Sequence, residues 1–260
     1  MKISIIGCGT IGTSLAQRLA QEHTLALYSP NHEKVKELAD SINAVMVKDI
    51  REAVIDAEIV ILAIKKHHLT KISEELNPIL KDNQLIISVL AGASVKTLKG
   101  YFGKNPILRM MPNIAIVYGK GVIGLADIPD LKPKQRQMIE MLCKPLGTFY
   151  WIAEDKIDAL TALTGSGPAF VFVMIEAMVE AAIALGFNAA QGQELVYQML
   201  QGSLTMLQET KRHPADLKWS VASPEGTTIA GLHKMEEEKV RHGIIQAFLA
   251  AKARADQMHL

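Results

Sequence analysis

The feature that most constrains this chain is the run Gly7–Gly12, which reads G-x-G-x-x-G directly after the apolar stretch Lys2–Ile6. The apolar stretch predicts a β-strand, and the amphipathic stretch Thr13–Gln21 predicts a helix. In a strand–turn–helix unit the glycines allow a tight turn, a close backbone approach to a pyrophosphate, and close helix–strand packing. The sequence therefore predicts a dinucleotide-binding turn, with a ligand-free glycine turn as the alternative. The residues assigned to this turn are Gly7, Gly9, Thr10, Ile11 and Gly12.

Length and composition bound the kind of protein. The 260 residues suggest one large domain or two ordinary ones, and a hydrophobic fraction of 49% is enough for a substantial core. The formal net charge is +1, and the sequence has no run of Lys or Arg and no acidic tail. We therefore expect a small-molecule substrate, and no nucleic acid or anionic membrane surface as a partner.

The two cysteines, Cys8 and Cys143, do not make a disulfide framework. Cys8 lies inside the glycine turn, where a disulfide would obstruct the approach of a ligand. The chain enters its first strand at once, so no signal peptide is expected. The sequence predicts a cytoplasmic protein in a reducing compartment.

One stretch, Ala169–Leu185, is apolar and about long enough to cross a bilayer. Glu176 and Glu180 lie inside it at a spacing that places them on one helix face, and a charge at mid-bilayer is unfavourable. We therefore expect a buried helix of a bundle or dimer core and no membrane span.

The first half of the chain alternates between strand-like and helix-like segments. Its strand-like segments are continuous apolar runs, which are typical of buried parallel strands. The pattern predicts a Rossmann-type, doubly wound parallel sheet of the α/β class. Further strands are predicted at Leu25–Tyr28, Val45–Val47, Ile59–Ile64, Leu85–Val89, Ile107–Met111, Gly121–Leu125 and Thr148–Trp151, with helices at Glu33–Ile42, Asp49–Asp56, Leu69–Leu80 and Lys134–Cys143.

The pattern changes near Asp155, after which every periodic segment is helical. We place the boundary so that residues 1–152 form the dinucleotide-binding domain and residues 153–260 form an all-α substrate and dimerisation domain. This second region is unusually apolar, which is typical of helices that bury a face against a second subunit. The predicted helices are Lys156–Leu163, Pro168–Leu185, Ala189–Thr210, Pro214–Val221, Thr227–Met235 and Glu238–His259.

The end of the second strand bears on the choice of cofactor. An NAD site usually has an Asp or Glu there for the ribose 2′-hydroxyl, and the first acid after Tyr28 is Glu33, already in the next helix. Ser29 and Asn31 instead offer hydrogen-bond donors, and Lys34 is close in sequence. These residues favour NADP(H), with NAD(H) as the alternative.

The remaining strand ends are candidates for the nicotinamide site, because ligands of open parallel sheets bind beyond the carboxyl ends of the strands. In Arg109–Asn113, Pro112 stops the strand and Asn113 offers an amide that could meet a carboxamide; packing at a strand end is the alternative. The residues assigned to this part of the cofactor site are Ala63, Lys65, Ala91, Gly92 and Asn113.

Two motifs mark the helical region. The segment Ala162–Ala169 ends one helix on glycines and starts the next on Pro168, as is common at helix starts. The segment Ser223–Thr228 precedes another helix, and its backbone N–H groups could bind a carboxylate. Helix capping alone is the alternative for the hydroxyls of this segment.

Together, Arg109–Asn113, Ala162–Ala169 and Ser223–Thr228 resemble the motifs of the pyrroline-5-carboxylate reductase family, in the family's order and across essentially the whole chain. The resemblance implies NAD(P)H-dependent reduction of 1-pyrroline-5-carboxylate to L-proline, the last step of proline biosynthesis. It also implies a dimer with swapped helices, or a ring of such dimers. Thr228 matches the threonine that meets the substrate nitrogen, and the matching substrate-binding residues are Ser223, Gly226, Thr227 and Thr228.

Two residues depart from the family pattern: Glu225 stands where the first of two glycines is usual, and Lys66 where proline is usual. They leave open a related imine or hydroxyacid reductase, or a cofactor-binding regulator that has lost turnover. A β-hydroxyacid dehydrogenase needs a catalytic lysine on the first long helix of the second domain, and residues 160–184 contain none. The histidines show no paired metal spacing, so no metal site is predicted.

Overall fold

A computed structural model describes residues 1–258, and its central feature is an eight-stranded sheet in the order β3-β2-β1-β4-β5-β6-β7-β8. All neighbouring strands are parallel except β6 and β7, which are antiparallel. The strands are β1 (Lys2–Ile6), β2 (Thr24–Tyr28), β3 (Val45–Met46), β4 (Ile59–Leu62), β5 (Leu85–Ser88), β6 (Ile107–Pro112), β7 (Gly121–Ala126) and β8 (Gly147–Ile152).

The predicted parallel, doubly wound sheet is confirmed, and the β6–β7 pair is the one departure from it. Only residues 113–120 join these strands, and they include a 3₁₀ turn at Ile114–Tyr118. A parallel connection needs a crossover of a dozen or more residues. The short connection therefore turns β7 back along β6.

The helices around the sheet follow the predicted positions closely, with one addition. They are α1 (Thr10–Leu19), α2 (His32–Ile42), α3 (Ile50–Val54), α4 (Leu69–Leu76), α5 (Val95–Tyr101) and α6 (Pro133–Cys143). Helix α5 was not predicted, because it is short and contains Gly100, a poor helix former. Ser94 caps it by accepting a hydrogen bond from the Thr97 N–H at 3.1 Å.

The core lies on both faces of the sheet. Every residue of β4 and β5 is buried. Alternate residues of each strand belong to different apolar clusters, Ile59 and Ile61 to one and Val60 and Leu62 to the other. Because successive side chains of a strand point to opposite faces, the two clusters are the two sides of a doubly covered sheet. This explains why the strands are continuously apolar in sequence.

Beyond β8 the described chain is helical, as predicted. Its α-helices are α7 (Ile157–Leu160), α8 (Gly167–Ala184), α9 (Ala189–Thr210), α10 (Pro214–Ser220), α11 (Thr227–Glu237) and α12 (Val240–Gln257). The expected helix end before the glycines is wrong in detail, since Thr161–Gly165 continues from α7 as a π-helical turn. The last predicted helix extends to His259, which lies outside the described residues.

The chain divides into two compact units, Met1–Gly165 together with the C-terminal residues from Ala251 on, and Ser166–Ala250. The last strand ends at Ile152, where the sequence pattern changes. The division into residues 1–152 and 153–260 as functional domains stays a prediction.

The helical segment Glu154–Ala184 is long and apolar enough to cross a membrane by length and composition alone. Only 6% of its most apolar window is buried within the single chain. The prediction of a buried helix therefore requires a surface outside this chain to cover α8.

Candidate cofactor and substrate sites

Two of the three glycines in the turn between β1 and α1 are required by close backbone contacts within the chain. Gly7 has a φ of +102°, and its N–H donates to the Tyr28 carbonyl oxygen at 2.7 Å. A Cβ at Gly7 would collide with the carbonyl of Ala63, and a Cβ at Gly12 would collide with the carbonyl of Gly7. A side chain at either position would therefore separate β1 from its neighbours.

Gly9 is different, because nothing in the described chain surrounds the place of a Cβ there. Gly9 is exposed and is the N-cap of α1, and no side chain caps this helix. The first N–H groups of a helix have no partner inside the helix, and Thr10, Ile11 and Gly12 carry them here. An open glycine beside uncapped N–H groups fits the diphosphate of a dinucleotide.

The neighbouring strand ends place the other predicted cofactor residues at the same edge of the sheet. Strand β1 lies between β2 and β4, so the chain crosses to opposite sides of β1 and the glycine turn stands at the switch point. This is where open parallel sheets bind their ligands. The carboxyl ends of these parallel strands bring together Ser29 after β2, Ala63 and Lys65 after β4, and Ala91 and Gly92 after β5.

The segment after β2, where the sequence predicts recognition of the cofactor ribose, contains a cap that the sequence analysis does not predict. The side-chain oxygen of Asn31 accepts a hydrogen bond from the Lys34 N–H at 3.1 Å and caps α2. Its NH₂ group keeps its donors for a ligand. Ser29 is partly buried and Asn31 is exposed.

Cys8 lies in the turn and is buried. Burial raises the pKa of its thiol to about 11, and the positive charge of Lys34 opposes this rise. The thiol is therefore neutral and unreactive at physiological pH. Because the charge of Lys34 acts on the Cys8 thiol, Lys34 lies within electrostatic reach of the glycine turn. Cys143 is also free and buried, and burial raises its pKa to about 12.

Asn113, at the end of β6, has a structural role that the sequence did not reveal. It is buried, its Nδ2 donates to the Thr164 carbonyl at 3.0 Å, and its Oδ1 accepts from the Val122 N–H at 3.2 Å. Asn113 thus joins β6, β7 and the π-helical turn. Its contact with the nicotinamide carboxamide stays a prediction.

Arg109, in the same motif, forms a buried ion pair. Its side chain is 1% exposed, and Nη2 lies 2.7 Å from Asp158 Oδ1. Glu154 Oε1 is 4.0 Å from Nη1 and also accepts from the Val95 N–H at 2.5 Å. These contacts attach the segment after β8 to β6 and α5, which is why the first compact unit continues past the last strand.

The predicted substrate loop, Ser223–Thr228, lies in the second unit. The Gly226 N–H donates to the Ser223 carbonyl at 3.1 Å, Pro224 follows Ser223, and Glu225 has a φ of +58°. Proline at the second position, a positive φ at the third and a bond from first to fourth residue are the features of a type II β-turn. A Cβ at Gly226 would collide with the Ser223 hydroxyl unless that side chain rotated, and it would lie 3.1 Å from the Ser223 carbonyl oxygen, so the position leaves little room for a side chain.

The turn leads into α11, whose N-cap is Gly226 and which no side chain caps. The first N–H groups of the helix therefore point out of the turn, as carboxylate binding requires. Thr228 is partly buried in this first turn, while Ser223 and Thr227 are exposed.

Glu225 occupies the turn position that favours glycine. A residue with a Cβ is strained by about 1–2 kcal/mol in the left-handed region. Glu225 is exposed and has no hydrogen bond or ion pair with any of the described residues. No hydrogen bond or ion pair of Glu225 within the described chain offsets this strain.

Among residues 1–258, no group of three or more His, Cys, Asp or Glu side chains is placed to hold a metal ion. His67, His68, His213, His233 and His242 therefore belong to no such group.

Sequence profiles of known families match both parts of the chain. The profile described as pyrroline-5-carboxylate reductase dimerisation matches residues 154–258. The profile described as NADP oxidoreductase, coenzyme F420-dependent, matches residues 2–92. The apolar helices thus lie in a region that other proteins use to dimerise.

Whole-chain relatives agree with these matches. A pyrroline-5-carboxylate reductase of Aquifex aeolicus is 31% identical and covers 99% of this chain and 97% of its own. A 1-pyrroline-5-carboxylate reductase of Streptococcus pyogenes is 28% identical, with a TM-score of 0.92 over 99% and 98% of the two chains. A Plasmodium falciparum pyrroline carboxylate reductase with NADP bound is 23% identical with the same TM-score, over 100% and 98% of the chains, and shows the same fold. The chain belongs to the pyrroline-5-carboxylate reductase family.

Proposed function

We propose that this protein reduces the C=N bond of 1-pyrroline-5-carboxylate with NADPH and so produces L-proline, in the last step of proline biosynthesis. The proposal rests on the match to pyrroline-5-carboxylate reductases along nearly the whole chain. This match includes both the glycine turn and the loop Ser223–Thr228. Both segments have the open helix N-termini that a diphosphate and a carboxylate require.

The chemistry asks little of the side chains. When bound, the reduced nicotinamide supplies a hydride to the C=N carbon. The ring nitrogen must carry a proton in the product, and a cyclic imine can arrive already protonated, so a strong general acid is not needed. The backbone of Ser223–Thr227 holds the substrate carboxylate, and the hydroxyl oxygen of Thr228 accepts the N–H of the protonated ring. Orientation is the main catalytic contribution of these residues.

NADP(H) is the proposed cofactor, with NAD(H) as a weaker alternative. No acidic residue lies between the end of β2 and His32, so nothing there repels a 2′-phosphate. The hydroxyl of Ser29 and the free NH₂ group of Asn31 are available donors, and Lys34 places a positive charge near the glycine turn. No arginine is present here for a bidentate phosphate contact, so the preference is modest.

We further propose a homodimer, with rings of dimers as a larger assembly. Large apolar side chains of α8 are exposed in the single chain, among them Phe172 at 58% and Val173 at 63%. Exposed apolar surface of this extent on a soluble protein marks an interaction site. The two free, buried cysteines suit a cytoplasmic location.

The test is a spectrophotometric assay of NADPH oxidation by the purified protein with 1-pyrroline-5-carboxylate, with proline identified as the product. Turnover that depends on the pyrroline substrate supports the proposal. Oxidation of a small 3-hydroxy acid with NADP⁺ and no imine reduction would instead favour a hydroxyacid reductase. Tight NADPH binding without turnover of either substrate would favour a cofactor-binding regulator, the candidate that the strained Glu225 supports.

A further inference from the structure

The C-terminal end of α12 lies at the carboxyl edge of the sheet, within the first compact unit. Lys66 Nζ donates to the Met258 carbonyl oxygen at 2.8 Å, across 192 residues of sequence. The last carbonyls of a helix lack partners inside the helix and carry the negative end of its dipole. Lys66 therefore satisfies one of these groups and neutralises part of the charge.

A second contact holds the same residue against the end of β5. Gly92 is buried with a φ of +70°, and a Cβ there would lie 2.7 Å from the Met258 carbonyl oxygen and 3.1 Å from Met258 Cβ. Only glycine allows this approach. The segment therefore packs directly on the backbone of Gly92 and limits its movement.

Lys66 and Gly92 follow neighbouring parallel strands, β4 and β5, by the same number of residues, since Leu62 pairs with Ser88. The two contacts to Met258 thus span the gap between two strand ends. Ala63 and Lys65 stand beside one contact and Ala91 beside the other, and all three are residues of the proposed cofactor site.

We propose that residues Ala251–Met258 form one wall of the cofactor site and that Lys66 is the positioning residue that holds this wall in place. The wall keeps the Ala91–Gly92 backbone in the conformation that receives the nicotinamide end of the cofactor. The inference rests on the proposed NADPH site and adds to it a segment from the opposite end of the chain. Because the packing against Gly92 remains when the exposed Lys66 bond is lost, the wall opens more often but is not displaced altogether.

The test compares Lys66→Met with wild type in the full chain. NADPH affinity is measured by titration of nicotinamide fluorescence, and opening of the wall by limited trypsin digestion after Lys252 and Arg254. We expect the Kd for NADPH to rise about fivefold and cleavage at these two sites to accelerate about as much. NADPH should slow cleavage of the wild-type protein and have a smaller effect on the variant. Lys66→Arg, which keeps a donor and a charge, should restore both measurements.

The matched control is Lys96→Met, since Lys96 is an exposed lysine of α5 with no hydrogen bond to Met258. It should leave both measurements unchanged. Faster cleavage of Lys66→Met with an unchanged Kd would show that the segment is not part of the site, and a tighter Kd would show that it obstructs the site; either result overturns the inference. A wild-type protein that binds no NADPH would instead overturn the proposed cofactor, and with it this wall.

Discussion

The two compact units differ in how completely one chain can bury its apolar residues. In the first unit every residue of β4, β5 and β6 is buried, and apolar clusters cover both faces of the sheet. In the second unit, α8 and α9 have 18 and 22 residues, and they bury only Gly167, Ala182, Gly192 and Val196.

The buried residues of the second unit are small or few, while its large apolar side chains are exposed. The first unit therefore forms a fully buried apolar core from its own residues. The second unit leaves large apolar side chains exposed in a single copy, and its match to a dimerisation profile supports an oligomer that covers them. Each of the following experiments tests one side of this contrast.

Assembly should show the largest effect. A charge introduced on the exposed face of α8, as in Phe172→Glu or Val173→Glu, should weaken dimerisation by more than a hundredfold, because burying an unpaired charge is strongly unfavourable. Light scattering across micromolar concentrations measures the change. The control is Val45→Glu, at an apolar residue of β3 that is 56% exposed in the first unit.

The control variant should assemble like wild type, since the first unit is complete. A wild-type protein that is a stable, folded monomer at these concentrations would refute the contrast between the units. A dimer that survives both α8 substitutions would place the interface on another face.

The ion pair of Arg109 tests whether the first unit truly extends past its last strand. Asp158→Asn removes the carboxylate 2.7 Å from a guanidinium that is 1% exposed. Breaking a buried pair on one side lowers the free energy of unfolding by about 3–5 kcal/mol, and the partial exposure of Asp158 puts the expected loss near the lower value. Denaturant unfolding provides the measurement.

Glu238→Gln is the matched control, because it removes an ion pair of similar length, 2.8 Å to Lys234, between exposed side chains. No measurable change is expected there. Equal effects of the two substitutions would mean that residues 154–165 do not belong energetically to the first unit.

These contacts also show which parts of the molecule could be predicted from sequence. The glycine turn, the parallel strands and most helices were predicted because their signals are local: an apolar run, a cap, a breaker. Asp158 and Arg109 are 49 residues apart, and Met258 and Lys66 are 192 apart. A single sequence has no local pattern that records such pairs.

The two site loops show the same limit. The requirement for glycine at Gly7 and Gly12 follows from a general motif and is confirmed by the collisions that a Cβ would make. The cap made by Asn31 and the two bonds of Asn113 were missed, because an asparagine in a loop serves a cap, a tie or a ligand equally well in sequence. The positive φ at Glu225 explains why glycine is usual at this position of the family pattern, which the residue types alone do not show.

Thr228 tests the substrate side of the second unit. If its hydroxyl accepts the N–H of the substrate ring, Thr228→Val should lower kcat/KM by about tenfold or more, with little change in the Kd for NADPH. Thr228→Ser keeps the hydroxyl and should retain most of the activity. Wild-type kcat/KM in a folded Thr228→Val protein would refute the role, and circular dichroism checks the fold.

The choice of cofactor tests the first unit with a smaller effect. NADPH should give a higher kcat/KM than NADH, and a hydrogen bond or exposed charge worth about 1 kcal/mol corresponds to a roughly fivefold margin. Lys34→Met should remove much of this margin by raising the KM for NADPH and leaving that for NADH unchanged. Lys36→Met, two residues further along α2, is the control. A clear preference of the wild type for NADH would show that the end of β2 was misinterpreted.

Glu225 should show the smallest effect. Its substitution distinguishes a glutamate that only strains the backbone from one that also opposes the substrate carboxylate. Glu225→Gly relieves the strain of a positive φ, although the extra freedom of glycine in the unfolded chain offsets part of the gain, so stability should rise by about 1 kcal/mol or less. It also removes a negative charge from the loop proposed to bind a carboxylate. The KM for 1-pyrroline-5-carboxylate should therefore fall about twofold to threefold at low salt and less at high salt, because salt screens exposed charges.

Lys239→Gly separates strain from charge, because Lys239 has a φ of +55° and lies outside the loop. It should change stability in the same direction as Glu225→Gly and leave the KM unaltered. If the KM of Glu225→Gly stays unchanged at both ionic strengths while its stability rises, the glutamate acts on the backbone alone and does not oppose the substrate. The idea of a regulator that has lost turnover would then have no residue in its favour, since a strained turn that binds substrate normally is still a working part of a reductase.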